Sequence, residues 1–416
     1  MSEKTEICLV TPSHLGSAPR VVKEAEALSE AGFGVTVIST RNSPAADPLD
    51  EQILREAKWK SRRVNLLGGG RLRRALVQKM AKPAFLWFGS ASPLLAALAE
   101  SGAFPALRRE AEGCPARLYI GHCLTGLAAA LSAGISRGAK IGFDAEDYHE
   151  AERLPEQTGE VGIQAARILQ REAWQRCDHL TAAAPLIAQK LGEEYGRQPE
   201  VILNVFPKRM APARPPRERP ARRPVRLYWF SQTIGPGRGL EEVMEACRLL
   251  DFPVEVHLRG HDETGFAARL RERLANGTQG HALVVEELAA PEEMARLAAE
   301  CDIGLGLEQN LPLNRGICLT NKIFTYLLAG IPMVLSDTPA HRELAPRLGS
   351  AAMLADPAKP AELAAAVTRL AGDAAGGREA AEQAWRLGQE RYHWDFEKKK
   401  FVELVRRAIG PEAARG

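Results

Sequence analysis

The chain has 416 residues, of which 45% are hydrophobic and 26% are charged. This length exceeds what one hydrophobic core usually serves and favours two domains of about 200 residues each. The composition excludes a disordered or fibrous protein, and a formal net charge of +3 is too small to indicate nucleic-acid binding.

The seven cysteines are scattered without metal-ligand spacing, which indicates free thiols in a reducing compartment. The sequence shows no signal-type segment and no span of about 20 apolar residues. We therefore expect a cytoplasmic protein that does not cross a membrane.

The first half of the chain alternates short apolar runs with helical patterns. The run at residues 7–11 is bounded by Pro12 and is typical of a strand buried on both faces. A helical pattern follows it, and the same alternation recurs to residue 206, with apolar runs that begin at residues 35, 117, 141, 179 and 201. The pattern predicts one doubly wound α/β domain over residues 1–206, with right-handed crossovers.

Residues 207–224 are rich in proline and arginine and have neither helical nor strand periodicity, so we expect a linker there. The alternation then restarts and predicts a second Rossmann-like domain over residues 225–380. Its apolar runs begin at residues 225, 254, 282, 303 and 332. Because ligands bind beyond the carboxyl ends of parallel strands, two such sheets predict a cleft that encloses a substrate.

A glycine-rich turn follows the first strand of the second domain. Gly235, Gly237 and Gly239 allow close backbone approach to a ligand, and Arg238 adds a fixed positive charge. Together with the free N–H groups of the next helix, these residues suit a diphosphate. An ordinary loop with a solvated arginine explains the same spacing equally well.

A second candidate anion site precedes another helix. Thr320 or Asn321 can cap this helix, while Lys322 stands in its first turn, where a positive charge opposes the helix dipole. A bound anion would explain why a lysine occupies this position. The alternative is an exposed lysine that reaches into water.

Residues 321–337 (NKIFTYLLAGIPMVLSD) resemble the donor-binding signature of the retaining glycosyltransferases of family 4. Other segments resemble that family in the same order, at residues 19–32, 144–150, 238–241 and 391–396. The resemblance covers nearly the whole chain and implies the GT-B fold, in which two Rossmann-like domains face each other across a cleft. It also implies that residues 381–416 form a final helix that crosses back to the first domain.

The same resemblance suggests three catalytic residues. His122 takes the place of a histidine near the donor sugar and the acceptor, and Arg238 that of a lysine that neutralises the leaving diphosphate. Lys322 would add a further cation, since Gln232 occupies the position of the family's other cation. The implied reaction is metal-independent transfer of a sugar from a nucleoside diphosphate, with retention of configuration.

The paired glutamates of the family align with Ile317 and Thr325, so only a weaker neutral bond from Thr325 to the nucleotide ribose is expected. Glu308 and Glu343 follow apolar runs and are candidate donor-sugar ligands, although ordinary loop carboxylates would look the same. The predicted donor-binding residues are Gln232, Gly235, Gly237, Gly239, Glu308, Thr320, Asn321, Thr325 and Glu343. The predicted acceptor-side residues are Gly16, Arg20, Asp144 and Glu146, and no metal ligand is predicted.

Residues 54–83 carry ten basic side chains and one acid, Glu56, interleaved with Trp59, leucines and Met80 and followed by an aromatic run at residues 85–88. This composition predicts a surface that lies on anionic lipid headgroups, such as those at the inner face of the plasma membrane. A solvated basic face is the alternative. Nucleic acid is not expected, because no nucleic-acid module accompanies the charge.

Three hypotheses follow for the function. The first is a glycosyltransferase that uses a UDP- or GDP-linked sugar to build a cell-surface polysaccharide or glycoconjugate, on a carbohydrate, lipid-linked or small-molecule acceptor. The second is a GT-B enzyme that acts on a small soluble acceptor or isomerises a nucleotide sugar. The third is a catalytically degenerate binding or scaffold protein.

Overall fold

A computed structural model describes residues 4–68, 70–88, 92–213, 224–275, 280–372 and 374–410 of the chain. The middle of the predicted linker and the last six residues lie outside these ranges. The described chain forms two compact units. The first contains the chain up to Ile202, Pro312–Asn314 and the chain from Lys398 onward, and the second contains Leu203–Leu311 and Arg315–Glu397.

The first unit is built on a seven-stranded sheet in which every pairing is parallel. Its strands are β1 (Glu6–Val10), β2 (Gly34–Arg41), β3 (Lys60–Asn65), β4 (Leu118–His122), β5 (Lys140–Ala145), β6 (His179–Ala182) and β7 (Glu200–Val201). The spatial order is β3-β2-β1-β4-β5-β6-β7, so the winding direction reverses between β1 and β4. A ligand site of this sheet is expected at that switch point.

Eight helices complete the described part of the first unit's chain up to Ile202. They are α1 (Pro19–Glu30), α2 (Asp47–Glu56), α3 (Gly70–Phe88), α4 (Pro93–Glu100), α5 (Phe104–Glu112), α6 (Cys123–Arg137), α7 (Pro155–Arg176) and α8 (Pro185–Tyr195). Helix α6 presses directly on the sheet, since a Cβ on Gly126 would lie 2.4 Å from the carbonyl oxygen of Val10. This contact holds the first turns of α6 close to the carboxyl end of β1.

The second unit contains a six-stranded parallel sheet in the order β10-β9-β8-β11-β12-β13. Its strands are β8 (Val225–Thr233), β9 (Val254–His261), β10 (Ala282–Glu286), β11 (Ile303–Gly306), β12 (Met333–Ser336) and β13 (Ala352–Ala355). The winding reverses between β8 and β11, so the carboxyl ends of these two strands mark the switch point of this sheet.

The remaining helices flank this second sheet or follow it in the chain. They are α9 (Leu240–Cys247), α10 (Phe266–Ala275), α11 (Met294–Ala298), α12 (Leu313–Ile317), α13 (Asn321–Ala329), α14 (Pro339–Leu348), α15 (Pro360–Gly372), α16 (Ala374–Glu390) and α17 (Trp394–Ile409). The prediction of two doubly wound α/β domains is confirmed. The sequence analysis missed β3 and β13, and no described helix is long and apolar enough to cross a bilayer.

Tyr326 is one of the buried residues that pack helix α13 against the second sheet. The ring of Tyr326 lies over Gly304 of β11, where a Cβ would come 2.4 Å from ring atom Cδ2. The Tyr326 hydroxyl lies 3.1 Å from the carbonyl oxygens of both Tyr228 and Leu305 and donates to them. This packing places the start of α13 beside the ends of β8 and β11.

We expect Gly304→Ala to destabilise the second unit by about 1–3 kcal/mol, because the added methyl group would overlap the Tyr326 ring. The midpoint of urea unfolding measures this change. Gly372→Ala is the matched control, since a Cβ at Gly372 meets nothing within 4 Å. Equal midpoints for the two variants would contradict the packing described above.

Candidate functional site

The glycine turn of the second unit begins later than the sequence indicated. Strand β8 continues to Thr233 through an irregularity in its pairing with β9 between Phe230 and Thr233, and Gln232 is exposed there. The turn then runs to Gly239 at the start of α9. Bulges of this kind re-aim the backbone next to functional sites.

Two of the three glycines have a backbone conformation that requires glycine. Gly237 and Gly239 have φ values of +73° and +74°, in the left-handed region. A Cβ on Gly239 would also lie 3.1 Å from Cβ of Leu307. A Cβ on Gly235 would meet nothing within 4 Å, and Gly235 has no such φ value. The turn therefore does not require glycine at that position.

Arg238 is the half-buried residue between these two glycines. Within the described residues its guanidinium makes no hydrogen bond or ion pair. Burial lowers the pKa of Arg238, nearby Glu308 acts to raise it and nearby Arg315 lowers it further. A partly desolvated guanidinium with free N–H donors is suited to bind an anion.

Lys322 lies in the first turn of α13 and has an internal partner. Its Nζ is 3.0 Å from Oε1 of Glu308, and both side chains are buried. The same Nζ lies 5.7 Å from the centre of the Trp229 ring. This arrangement excludes the alternative of an exposed lysine, and it places a carboxylate of the chain itself against Lys322.

Glu308 faces three cations. Burial acts to raise the pKa of this carboxyl, but Lys322, Arg238 and Arg315 outweigh it, and the pKa is lowered. Its backbone N–H donates to Oγ of Ser336 at 2.7 Å, which fixes the segment that follows β11. Glu308 is therefore ionised and held in place.

Arg315 lies in α12 and was not predicted as a site residue. Its Nη1 donates to the carbonyl oxygen of Gly237 at 2.8 Å. Sequence could not reveal this bond, because the two residues are far apart in the chain and meet only when the loops after β8 and β11 fold together.

The other predicted donor ligands differ in their burial and in their hydrogen-bond partners. Thr320 precedes α13 without a side-chain capping bond, and its buried Oγ1 has no partner in the described structure. Thr325 is fully buried and donates to the carbonyl oxygen of Asn321 at 3.0 Å, so in this conformation it cannot contact a ribose. This corrects the expected Thr325 contact. Glu343 is exposed on α14 and lies 3.9 Å from Arg347.

In the first unit His122 ends β4 and is fully buried. Its Nε2 lies 3.1 Å from Oε2 of Glu24, and its Nδ1 lies 3.4 Å from Oδ2 of Asp144 and 3.3 Å from Oε1 of Glu146. Burial acts to lower the pKa of His122, but the three carboxylates outweigh it and raise the pKa well above its usual value. The ring is therefore an imidazolium, and the catalytic role of His122 stays a prediction.

Arg20 and Asp144 form a buried pair beside this histidine. Arg20 donates to both carboxylate oxygens of Asp144, at 2.5 and 2.8 Å, and to the carbonyl oxygen of Ile202 at 2.8 Å. Both side chains are fully buried, so their predicted acceptor contact is corrected to a structural pairing in this conformation. The partly exposed Glu146 is still open to a ligand.

Gly16 lies in a loop anchored by Asp50, whose Oδ1 accepts from the Gly16 backbone N–H at 2.8 Å. His14, which the sequence analysis missed, lies 3.2 Å from Oδ2 of the same aspartate through Nδ1. Its Nε2 accepts from the backbone N–H groups of Asn42 and Ser43. The loop after β1 is thus fixed from within the unit, and the role of Gly16 on the acceptor side stays a prediction.

One group among the described residues has the spacing of metal ligands, formed by Glu24, His122 and Asp144. Both oxygens of Asp144 already accept from Arg20, and Oδ1 also accepts from Thr181 at 2.5 Å. The guanidinium of Arg20 therefore supplies the positive charge that a metal would bring.

We expect His122→Gln to destabilise the protein most at acidic pH. The folded state raises the pKa of His122 above its unfolded value of about 6.5. The charged ring therefore contributes its full stabilisation of the folded state below that pH. This contribution is lost as the pH rises through the pKa of the folded state. Leaving buried carboxylates without their cation costs about 3–5 kcal/mol. Thermal unfolding should show a larger deficit at about pH 6 than at about pH 9.

The control for this measurement is His261→Gln, since His261 is exposed at the end of β9 and has no side-chain partner in the described structure. A deficit for His122→Gln that is constant across this pH range would mean that the histidine is neutral in the fold.

A scan of the sequence against protein-family models finds no match, and a search of curated protein sequences finds none either. Solved structures do match. HepE from Anabaena, in complex with UDP-glucose, superposes with a TM-score of 0.69 at 14% identity, over 96% of this chain and 99% of that one. Sucrose-phosphate synthase from Thermosynechococcus elongatus gives a TM-score of 0.67 at 12% identity, over 97% and 99% of the two chains.

A UDP-N-acetylglucosamine 2-epimerase-like protein from Listeria monocytogenes also matches, with a TM-score of 0.56 at 12% identity, over 97% of this chain and 96% of that one. At these identities the likeness concerns the fold and not the activity. The chain therefore has the GT-B fold along nearly its whole length.

Proposed function

We propose that this chain transfers a sugar from a UDP- or GDP-linked donor, and that the second unit holds the diphosphate at the turn after β8 and the start of α13. The observation that carries the proposal is Arg238, a half-buried guanidinium without a partner in the described structure. The comparison with HepE supports the choice of ligand, since that GT-B structure contains UDP-glucose.

The local charges favour an anionic ligand. Arg238, Arg315 and Lys322 all act on a single carboxylate, Glu308, which compensates only one of the three positive charges. Removing charged groups from water without partners is costly, so an incoming diphosphate would be stabilised by cations that are already positioned.

The same charges suit the chemistry of glycosyl transfer. When the bond between the anomeric carbon and the diphosphate breaks, negative charge accumulates on the leaving oxygen, and fixed cations and backbone N–H groups stabilise that charge. Arg238 and the turn around it would provide this stabilisation. Retention of configuration, and an acceptor from a cell-surface polysaccharide or glycoconjugate, belong to the same proposal.

A second candidate is isomerisation of the nucleotide sugar, which the likeness to the epimerase-like protein favours. One experiment separates the two reactions. The protein is incubated with a panel of UDP- and GDP-sugars, and both released nucleoside diphosphate and sugar composition are measured. Release of nucleoside diphosphate supports transfer or hydrolysis, and a new sugar without such release supports isomerisation. If neither change is observed, the result contradicts the proposal.

We expect Arg238→Ala to lower kcat/KM for the active donor by about a hundredfold to a thousandfold, as is typical when one donor to a developing negative charge is removed. Diphosphate release measures the change. The control is Arg347→Ala, which removes an exposed arginine of the same unit that lies 3.9 Å from Glu343. Equal activity of the two variants would exclude Arg238 from the reaction.

We further propose that α3 rests on an anionic membrane surface. Leu72, Leu76, Met80 and Trp87 follow one another at spacings of four, four and seven residues, which places them on one helix face. All four are exposed, Leu72 and Trp87 by 84% and 83%. Exposed Lys79 and Lys82 can meet lipid phosphates, and the side chains of Arg71, Arg73 and Phe88 lie outside the described part of this face.

We expect Leu76→Glu with Met80→Glu to reduce flotation of the protein with vesicles of phosphatidylcholine and phosphatidylglycerol, because the acids repel the headgroups and remove apolar contact. Binding by the wild-type protein should also weaken with added salt. Leu249→Glu, at an exposed leucine of the second unit, is the control. Flotation that persists in the double variant would contradict the proposal.

A further inference from the structure

The glycine turn of the second unit carries one cation, whereas a diphosphate carries more than one negative charge. Arg238 lies on the turn, but the irregular end of β8 presents Gln232, whose side chain is neutral and exposed. A neutral amide stabilises a developing negative charge less than a guanidinium does. A second cation near the turn would therefore strengthen the binding of a diphosphate.

Arg315 reaches this turn from α12. Its Nη1 donates to the carbonyl oxygen of Gly237 at 2.8 Å, and Gly237 directly precedes Arg238. Because the carbonyl and the N–H of one trans peptide point in opposite directions, this bond turns the backbone N–H of Arg238 away from Arg315. That N–H makes no hydrogen bond within the described residues.

The two guanidinium groups are also close enough to affect each other. The charge of Arg315 disfavours the protonated form of Arg238, and both arginines act on Glu308. Like charges in a partly buried site repel one another, and a nearby anion reduces the repulsion. The structure thus leaves a free amide on one side of the peptide between Gly237 and Arg238 and holds the Arg315 guanidinium on the other side.

We infer that Arg315 is a positioning residue that holds the peptide between Gly237 and Arg238 and supplies a second positive charge for the diphosphate, because the side chain of Gln232 is neutral. This inference rests on the proposed nucleotide-sugar function. Arg315 would then be the residue that makes the site prefer a diphosphate over a monophosphate.

The test is calorimetric titration of the full chain with UDP, UMP, GDP and GMP. For whichever diphosphate binds the wild-type protein, Arg315→Gln should weaken binding by about tenfold to a hundredfold, the range expected for one lost charge-assisted hydrogen bond. Binding of the matching monophosphate should change much less. Arg315→Lys keeps the charge and should keep the preference for the diphosphate.

The control is Arg347→Gln, which should leave both affinities unchanged, and thermal unfolding shows whether each variant folds. An equal loss of diphosphate and monophosphate binding in Arg315→Gln would overturn the inference and leave the proposed function intact. If Arg315→Gln does not fold, loss of the diphosphate preference in Arg315→Lys overturns it instead. No binding of UDP or GDP by the wild-type protein would contradict the proposed function as well.

Discussion

An excess of positive charge at the carboxyl end of the second sheet is the constraint on which this account depends. Arg238, Arg315 and Lys322 act on one carboxylate, Glu308, in a partly buried site at the switch point between β8 and β11. Each group is held by the fold, through the glycine turn, the bond from Arg315 to that turn, or the start of α13. An anion bound at such a site reduces the repulsion between the positive charges.

In the first unit, by contrast, the buried positive charges have acidic partners. Arg20 and His122 are two buried cations, and Glu24, Asp144 and Glu146 face them directly. The positive charges there are matched within the unit and stabilise the region around β4 and α6. Within the described residues of the second unit the Arg238 guanidinium has no partner, and this contrast is why we propose the donor site there.

Much of the fold could be predicted from the sequence, because strands buried on both faces appear as continuous apolar runs. Strand β3 was missed because it is an edge strand with the basic, largely polar sequence KSRRVN. The ion pair of Lys322 with Glu308 and the bond from Arg315 to Gly237 could not be predicted, since these contacts depend on how separate loops meet. The burial of Thr325 likewise depends on how α13 packs, which helical spacing alone does not determine.

The most direct test of the central claim is an experimental structure of the protein with UDP or GDP bound. The account predicts diphosphate oxygens within hydrogen-bonding distance of the Arg238 guanidinium and of the backbone N–H groups of the turn that ends at Gly239. A diphosphate bound away from this turn, with Arg238 still unpaired, would contradict it.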